Sequence, residues 1–294
     1  MPALRKTRED IAINIFSTII AVAVLIATVY PIYYCLIYSF NDGADASAGA
    51  LYLFPRKFTL ENYKIVFAEK SVYLAFIMTV LRTVVGTLAA LLCLAMASYA
   101  LTKKYLMFRK FYMVFGLITL YFSGGIIPSY LLYKNIHLID TFGVYIMPNI
   151  YQFFYMLLFI AFFNELPEAM EESARMDGAN DLTVIFRIIL PLSKPVMATV
   201  AMFVGVWHWN DFFHPAFFIT NEKLMTLPAV LMRVMSLTEA QQTLQKVITN
   251  YKSSVTIEAV RYATLIVAIV PITIVYPFVQ KYFVKGMMIG AVKG

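Results

Sequence analysis

The chain is short of charge. Only 14% of its 294 residues are Asp, Glu, Lys or Arg, while 61% are hydrophobic. A soluble domain carries about 25% charged residues, so this chain would leave apolar surface facing water, and lipid is the better solvent. Cysteine is scarce as well. Cys35 and Cys93 stand apart, each inside an apolar run; two isolated thiols make neither a disulfide framework nor a metal site, and packing or lipid-facing roles suit both. The histidines are His137, His208 and His214. The last two are six residues apart and share no helical face, and no carboxylate stands at a ligand spacing, so no metal site is expected. The pattern Gly-x-x-x-x-Gly-Lys-Ser/Thr is missing, so nucleotide hydrolysis by this chain is not expected. No Ser/His/Asp constellation suggests a membrane-bound enzyme. The net charge of +7 is scattered and interrupted by long apolar runs. Without a basic face interleaved with aromatics, it does not point to nucleic acid; basic flanks of membrane spans explain it better.

What is present is a series of apolar runs near or above the roughly 20 helical residues that cross a bilayer. The runs predict spans at about 13–38, 73–101, 111–133, 141–163, 196–219 and 258–280. They are continuous rather than alternating, which excludes a barrel, and an open sheet cannot satisfy its backbone in lipid. The expected fold is therefore all-α, one polytopic bundle of about six helices over residues 1–294. Met1–Asp10 is basic and resembles a secretory leader, but the apolar run that follows, Ile11–Phe40, is too long and lacks a cleavage site. It reads as an uncleaved first span. The short loop with Lys103, Lys104, Arg109 and Lys110 is expected in the cytoplasm. That choice also puts Arg5, Lys6, Arg8, Lys281, Lys285 and Lys293 there, so both termini are cytoplasmic. Two longer segments, about 41–72 and 220–257, are expected outside. The first opens with a small, flexible stretch, Asn41–Gly49, and continues into Phe58-Thr-Leu-Glu-Asn-Tyr63, which starts like a helix capped near Thr59. Each segment reads equally as a solvated loop or as a surface for an external partner.

Between the fourth and fifth spans, about 164–195, the sequence reads as two short helices joined by a turn. Pro167 suits a first helical turn. Glu165, Glu168, Glu171 and Glu172 favour the positive end of the dipole. Gly178 suits a left-handed helix end, and Asn180 or Asp181 caps the second helix. Leu182, Ile185, Phe186 and Ile189 share an apolar face, and Pro191 and Pro195 stop the helix. On these features alone, a loop packed on its own bundle is as good a reading as a docking site.

The residues themselves resemble something specific. Glu172-Ser-Ala-Arg-Met-Asp177-Gly178-Ala179, followed by Phe186, Ile188, Leu190-Pro191 and Pro195, is similar to the EAA loop of binding-protein-dependent ABC importers. It departs once in the core of the motif, where Ser173 replaces the first Ala. The resemblance implies a coupling helix that inserts into a cleft of a nucleotide-binding subunit, with Glu171, Glu172, Ser173, Ala174, Asp177, Gly178 and Ala179 as the coupling residues. The tail 281–294 resembles that of the maltose-type second permease, which implies a further ATPase contact at Lys285, Gly286 and Gly290. Phe58–Tyr63 and Trp209-Asn-Asp-Phe212 fit the same group. The implied assembly has a second homologous permease, two copies of an ATPase and an external solute-binding protein. It sits in a bacterial plasma (inner) membrane and carries an oligosaccharide, with ATP and Mg on the partner ATPase and no cofactor on this chain. Thr79–Thr87 most resembles importers of polysaccharide-derived oligosaccharides, with alginate the narrowest suggestion.

Within the spans, Arg82 is the one clear mid-membrane charge. Such a group faces either an aqueous path or a structural partner. Trp209, Asn210 and Asp211 offer an aromatic face and hydroxyl-binding groups, or else interfacial packing, and Pro215 is expected to break their helix. These four residues are the candidate translocation path. An ion-gradient-driven transporter or channel is the alternative function; it predicts several mid-span ionisable groups and a repeated half.

Overall fold

The computed structural model describes residues 8–49, 51–236 and 256–291, with side chains to Pro277 in the last stretch. The helices are α1 (Arg8–Ser39), α2 (Gly43–Ser47), α3 (Glu61–Ala68), α4 (Lys70–Thr102), α5 (Arg109–Tyr121) and α6 (Ile126–Asn135). There follow α7 (Gly143–Ile146), extended by a 3₁₀ turn over Met147–Asn149, then α8 (Phe153–Glu165) and α9 (Glu168–Met176). The remainder are α10 (Asp181–Leu192), α11 (Lys194–Asn210), α12 (Phe213–Phe218), α13 (Leu227–Met235) and α14 (Ile257–Ala291). Among the described residues the regular structure is all helical, as expected, with one isolated bridge between Asn41 and Phe58.

Three expected spans are single helices long and apolar enough to cross a membrane: Ile13–Ser39, Lys70–Thr102 and Glu258–Pro277. The other three are broken rather than continuous. The third bends by 119° between α5 and α6, where Gly125 has φ +81°, a conformation open to glycine at no steric cost. The fourth bends by 55° between the α7 turn and α8, where Pro148 sits in the 3₁₀ turn. The fifth ends at Asn210 and resumes at Phe213. Pro215 was expected to cause this last break, but it lies inside α12. Asp211 makes the break, because its Oδ1 accepts the N–H groups of Phe213 (2.9 Å) and His214 (3.2 Å) and so caps α12.

The chain packs as two units, Met1–Glu69 with Val234–Val267, and Lys70–Arg233 with Ala268–Gly294. In the first, Ile37, Tyr38, Ala46, Leu51 and Ala259 form a small core beneath Tyr33, Tyr34 and Tyr262. The stretch Asn41–Gly49, read from sequence as flexible, is built. Asp42 caps α2 by accepting from Asp45 N–H at 3.0 Å, and Arg56 binds Asp45 at 2.9 Å. Hydrogen bonds from Asn41 and then Arg56 hold the Asp45 carboxyl below its ordinary range. The Phe58–Tyr63 motif secures this cap. Asn62 donates to Ser39 O and Asn41 O, both at 2.9 Å, and Phe58 stacks on Phe40. Thr59 Oγ1 accepts from Glu61 N–H at 3.1 Å and starts α3, the role expected of it.

In the second unit α4 is the central helix, flanked by α8 and α11. Its buried stripe runs through Ala75, Thr79, Gly86, Ala90, Leu94, Ala95 and Ser98. Small residues let helices approach closely where lipid removes the hydrophobic drive for association. One such close approach is at Gly86, where a Cβ would stand 2.5 Å from His208 Nε2. Below it, Leu91, Leu94 and Tyr99 of α4 meet Phe159, Ile160 and Phe163 of α8, Ile185 and Ile189 of α10, and Val196 and Val200 of α11.

Candidate functional site

The segment 164–195 folds as the two short helices expected from its sequence. Gly178 has φ +84° and nothing within 4 Å of a would-be Cβ, so its side-chain-free backbone serves the turn rather than a close contact. The cap is Asn180, not Asp181: Asn180 Oδ1 accepts from Thr183 N–H at 2.8 Å. Two expectations are corrected. Pro191 does not stop the second helix. It lies in the turn Leu190–Leu192, just after a π-turn at Ile185–Ile189 in which Leu190 N–H reaches back to Ile185 O. That widened turn accommodates a residue with no N–H and a bulky ring. The helix then stops at Ser193, and α11 leaves at 82°. The apolar face is also narrower than expected. Val184, Ile185 and Ile189 are buried, whereas Leu182 and Phe186 are exposed.

The coupling residues divide by direction. Glu172, Ser173, Asp177 and Gly178 are exposed, and Glu172 makes no ion pair among the described residues. Ala174 and Ala179 turn inward and pack against the core of their own unit. Glu171 turns inward as well. It accepts from Tyr99 Oη (3.0 Å) and Arg175 Nη2 (3.0 Å) and pairs with Lys103 Nζ. Arg175 also pairs with Asp181 and donates to Tyr105 Oη at 3.3 Å. Burial pushes the Glu171 carboxyl up, but hydrogen bonds from Lys103, Arg175 and Tyr99 outweigh it and hold the group below its usual range. Glu171 first, and Asp181 further, raise the Arg175 guanidinium above its ordinary value. The basic loop after α4 and the segment 164–195 are thus brought to one end of this unit. Tyr99 and Lys103 escaped the sequence reading because Lys103 served there only as a marker of sidedness.

The four candidate path residues do not share a surface. Arg82 and Asp211 are buried together: Arg82 Nη2 to Asp211 Oδ2 is 2.7 Å, with the side chains 0% and 5% exposed. Arg82 Nη1 also donates to Asp211 O at 3.1 Å, and its guanidinium lies 4.4 Å from the Tyr145 ring centroid. His214 Nδ1 stands 2.9 Å from the same carboxylate oxygen. Asn210 is exposed, and its Nδ2 donates to Val206 O at 3.0 Å. Trp209 lines a partly open cavity of about 530 Å³ with Val80, Thr83, Gly205, Pro271 and Tyr276. Its Nε1 donates to Ala268 O at 3.1 Å, and Thr83 Oγ1 donates to Thr79 O at 2.7 Å. The cavity therefore presents aromatic and aliphatic faces with few groups free to bind hydroxyls. Sequence reading named Arg82 and Asp211 without pairing them, although a mid-span cation needs an anion and Asp211 is the acid near the middle of a span.

Lys285, Gly286 and Gly290 fall on the helical backbone of α14, and their side chains lie outside the described residues. Lys293 and residues 237–255 of the second external segment also lie outside them. Among the described residues no group of three or more His, Cys, Asp or Glu side chains could hold a metal ion.

Comparison with known proteins bears on this geometry. The sequence model of the family described as binding-protein-dependent transport system inner membrane component matches residues 9–289. The protein LplC of Bacillus subtilis (strain 168) is 37% identical over 267 residues, covering 91% of this chain and 90% of the relative. The polygalacturonan/rhamnogalacturonan transport system permease protein YtcP of the same organism is 30% identical over 266 residues, covering 90% and 93%. Among solved structures, a chain from a bacterial ABC transporter involved in the import of the acidic polysaccharide alginate superposes with a TM-score of 0.88 at 27% identity. The match covers 96% of this chain and all of that one.

Proposed function

We propose that this chain, which belongs to the family of binding-protein-dependent transport system inner membrane components, is the permease subunit of an ATP-driven oligosaccharide importer in a bacterial inner membrane. The observation that carries this reading is the segment 164–195. Its turn at Gly178 and its outward residues Glu172, Ser173 and Asp177 leave a docking face open, while Glu171, Ala174 and Ala179 hold the segment to its own bundle. Such a face suits insertion into a cleft of a partner ATPase, whose closure on ATP rocks the bundle between two facings. The ATP and Mg belong to that partner, present in two copies. A second homologous permease, an external binding protein and a further ATPase contact at Lys285, Gly286 and Gly290 complete the assembly.

The oligosaccharide assignment is supported by the polygalacturonan/rhamnogalacturonan permease and the alginate importer, and an alginate-derived oligosaccharide is the narrower form of it. Arg82 is spent on Asp211, so the ion-gradient alternative loses its mid-span charge. The test is transport in proteoliposomes by the complex purified through this chain. Glu172→Ala and Gly178→Pro are expected to leave the protein inserted while ATP-driven uptake is lost. Full coupled uptake in both variants would overturn the reading.

A further inference from the structure

We infer that Glu171 is a positioning residue that fixes the coupling segment to the end of α4, so that a push on the open face of α9 is delivered first to α4. This rests on the proposed function, since it assigns a role within that transport cycle. Successive residues of a helix are separated by about 100°, so the adjacent acids Glu171 and Glu172 face apart: one is open to a partner and the other is turned to the bundle. Two of the three donors to Glu171 come from the end of α4, Tyr99 in its last turn and Lys103 one residue beyond it. The Lys103 ammonium also lies 4.0 Å from the Tyr99 ring centroid, so it is held from two sides.

The same two segments make a second ion pair, Lys104–Glu168 at 3.2 Å, but its side chains are 83% and 78% exposed, and pairs of that kind contribute little. The Lys103 and Glu171 side chains are 15% and 19% exposed, so solvent and salt screen them less. Apolar packing of Ala174 and Ala179 alone would let α9 slide, whereas a carboxylate with three donors is directional and sets one register. Arg175 extends the tie by joining Glu171 to Asp181, so both helices of the segment share the anchor. Near its middle α4 carries Arg82, which grips the break in the fifth span. Twenty residues of unbroken helix, 83–102, separate Arg82 from Lys103, about 30 Å of rod from the docking segment to the break.

The test uses the complex purified with its ATPase subunits, in a Cys35→Ser, Cys93→Ser background. Spin labels are placed at Leu88→Cys on α4 and Ala169→Cys on α9, both exposed positions. With Glu171 intact, the label distance is expected to be the same in the nucleotide-free complex and in the complex trapped with MgATP and vanadate. In Glu171→Gln, and independently in Lys103→Met, the population at that distance is expected to fall roughly fivefold or more on trapping. Lys103→Arg, which keeps the charge, is expected to restore it. A distance that changes with the tie intact, or that stays fixed in both broken variants, would overturn the inference. Failure of the chain to purify with an ATPase would instead strike the proposed function.

Discussion

Neutralising Asp211 while leaving its shape is expected to destabilise the protein sharply, and neutralising Arg82 with it is expected to restore most of what is lost. In Asp211→Asn the amide oxygen still caps α12, so the cap is not the variable. What changes is Arg82, whose guanidinium is fully buried, with Asp211 as its ion-pair partner and with Nε already lacking a hydrogen-bond partner. Removing one member of a buried pair costs about 3–5 kcal/mol, because the other charge is left uncompensated. Arg82→Met should cost less, about 1.5–3 kcal/mol, the worth of hydrogen bonds to a charged group. Its carboxylate partner keeps His214 Nδ1 at 2.9 Å and the backbone N–H groups of Phe213 and His214. In the double variant no charge is stranded, and neutral replacement of a buried pair is often close to neutral. The assay is a double-mutant cycle on apparent thermal stability in nanodiscs. A double variant as unstable as the sum of the two single ones would refute the account of this cluster as a compensated pair.

Two further outcomes follow from other contacts of the same unit. Gly86→Ala should destabilise by about 1–3 kcal/mol through overpacking, because the new Cβ meets His208 Nε2 at 2.5 Å, while Gly205→Ala, whose nearest contact is 3.5 Å, should be nearly silent in the same thermal assay. Asp140 accepts from Thr220 N–H (2.9 Å), Thr220 Oγ1 (2.6 Å) and Asn221 N–H (2.7 Å), and the Thr220 side chain first, with the two N–H groups, holds its carboxyl below the ordinary value. A depressed carboxyl contributes stability that is present above its unfolded value and lost as pH falls through the folded one. Amide exchange at Thr220 and Asn221, corrected for intrinsic rates, should therefore stay protected from pH 8 to 5, and Asp140→Asn should speed it about tenfold at pH 7.

How far the sequence could be read depended on the range of the forces involved. Helical class, span number and the two-helix form of 164–195 come from local composition, dipole preference and the φ demand at Gly178, all of which are written along the chain. The breaks in the third and fourth spans were not readable as breaks, and the break in the fifth was expected at Pro215 rather than at Asp211. In each an apolar run continues across a backbone interruption, and in the fifth the freed N–H groups are met by the Asp211 side chain, which caps α12. Pro215 misled for the same reason: a proline in a first helical turn loses no bond, so it marks a start there rather than a stop. The pairs Arg82–Asp211 and Lys103–Glu171 join residues 129 and 68 apart, beyond the reach of any periodicity. Only the requirement that a buried cation be neutralised pointed to the first, and nothing local pointed to the second.

The fate of Arg82 also bears on where an acidic cargo would be recognised. A mid-span guanidinium looks like a receptor for a sugar carboxylate as long as its partner is unknown. Once Asp211 takes both its charge and its hydrogen bonds, presenting Arg82 to a passing anion would require breaking a buried pair at a cost of several kcal/mol, repeated in every cycle. The cavity lined by Trp209 carries no charged group in its place; it offers stacking faces, which tolerate many sugars and choose weakly among them. A permease built this way is suited to passing a cargo already chosen upstream. Its specific chemistry is instead concentrated at two points along α4, its C-terminal end, where Glu171 holds the segment 164–195, and its middle, where Arg82 holds the broken span. Under the proposed function, selection of the oligosaccharide is then the task of the partners, and the residues most sensitive to substitution in this chain should be those that transmit movement.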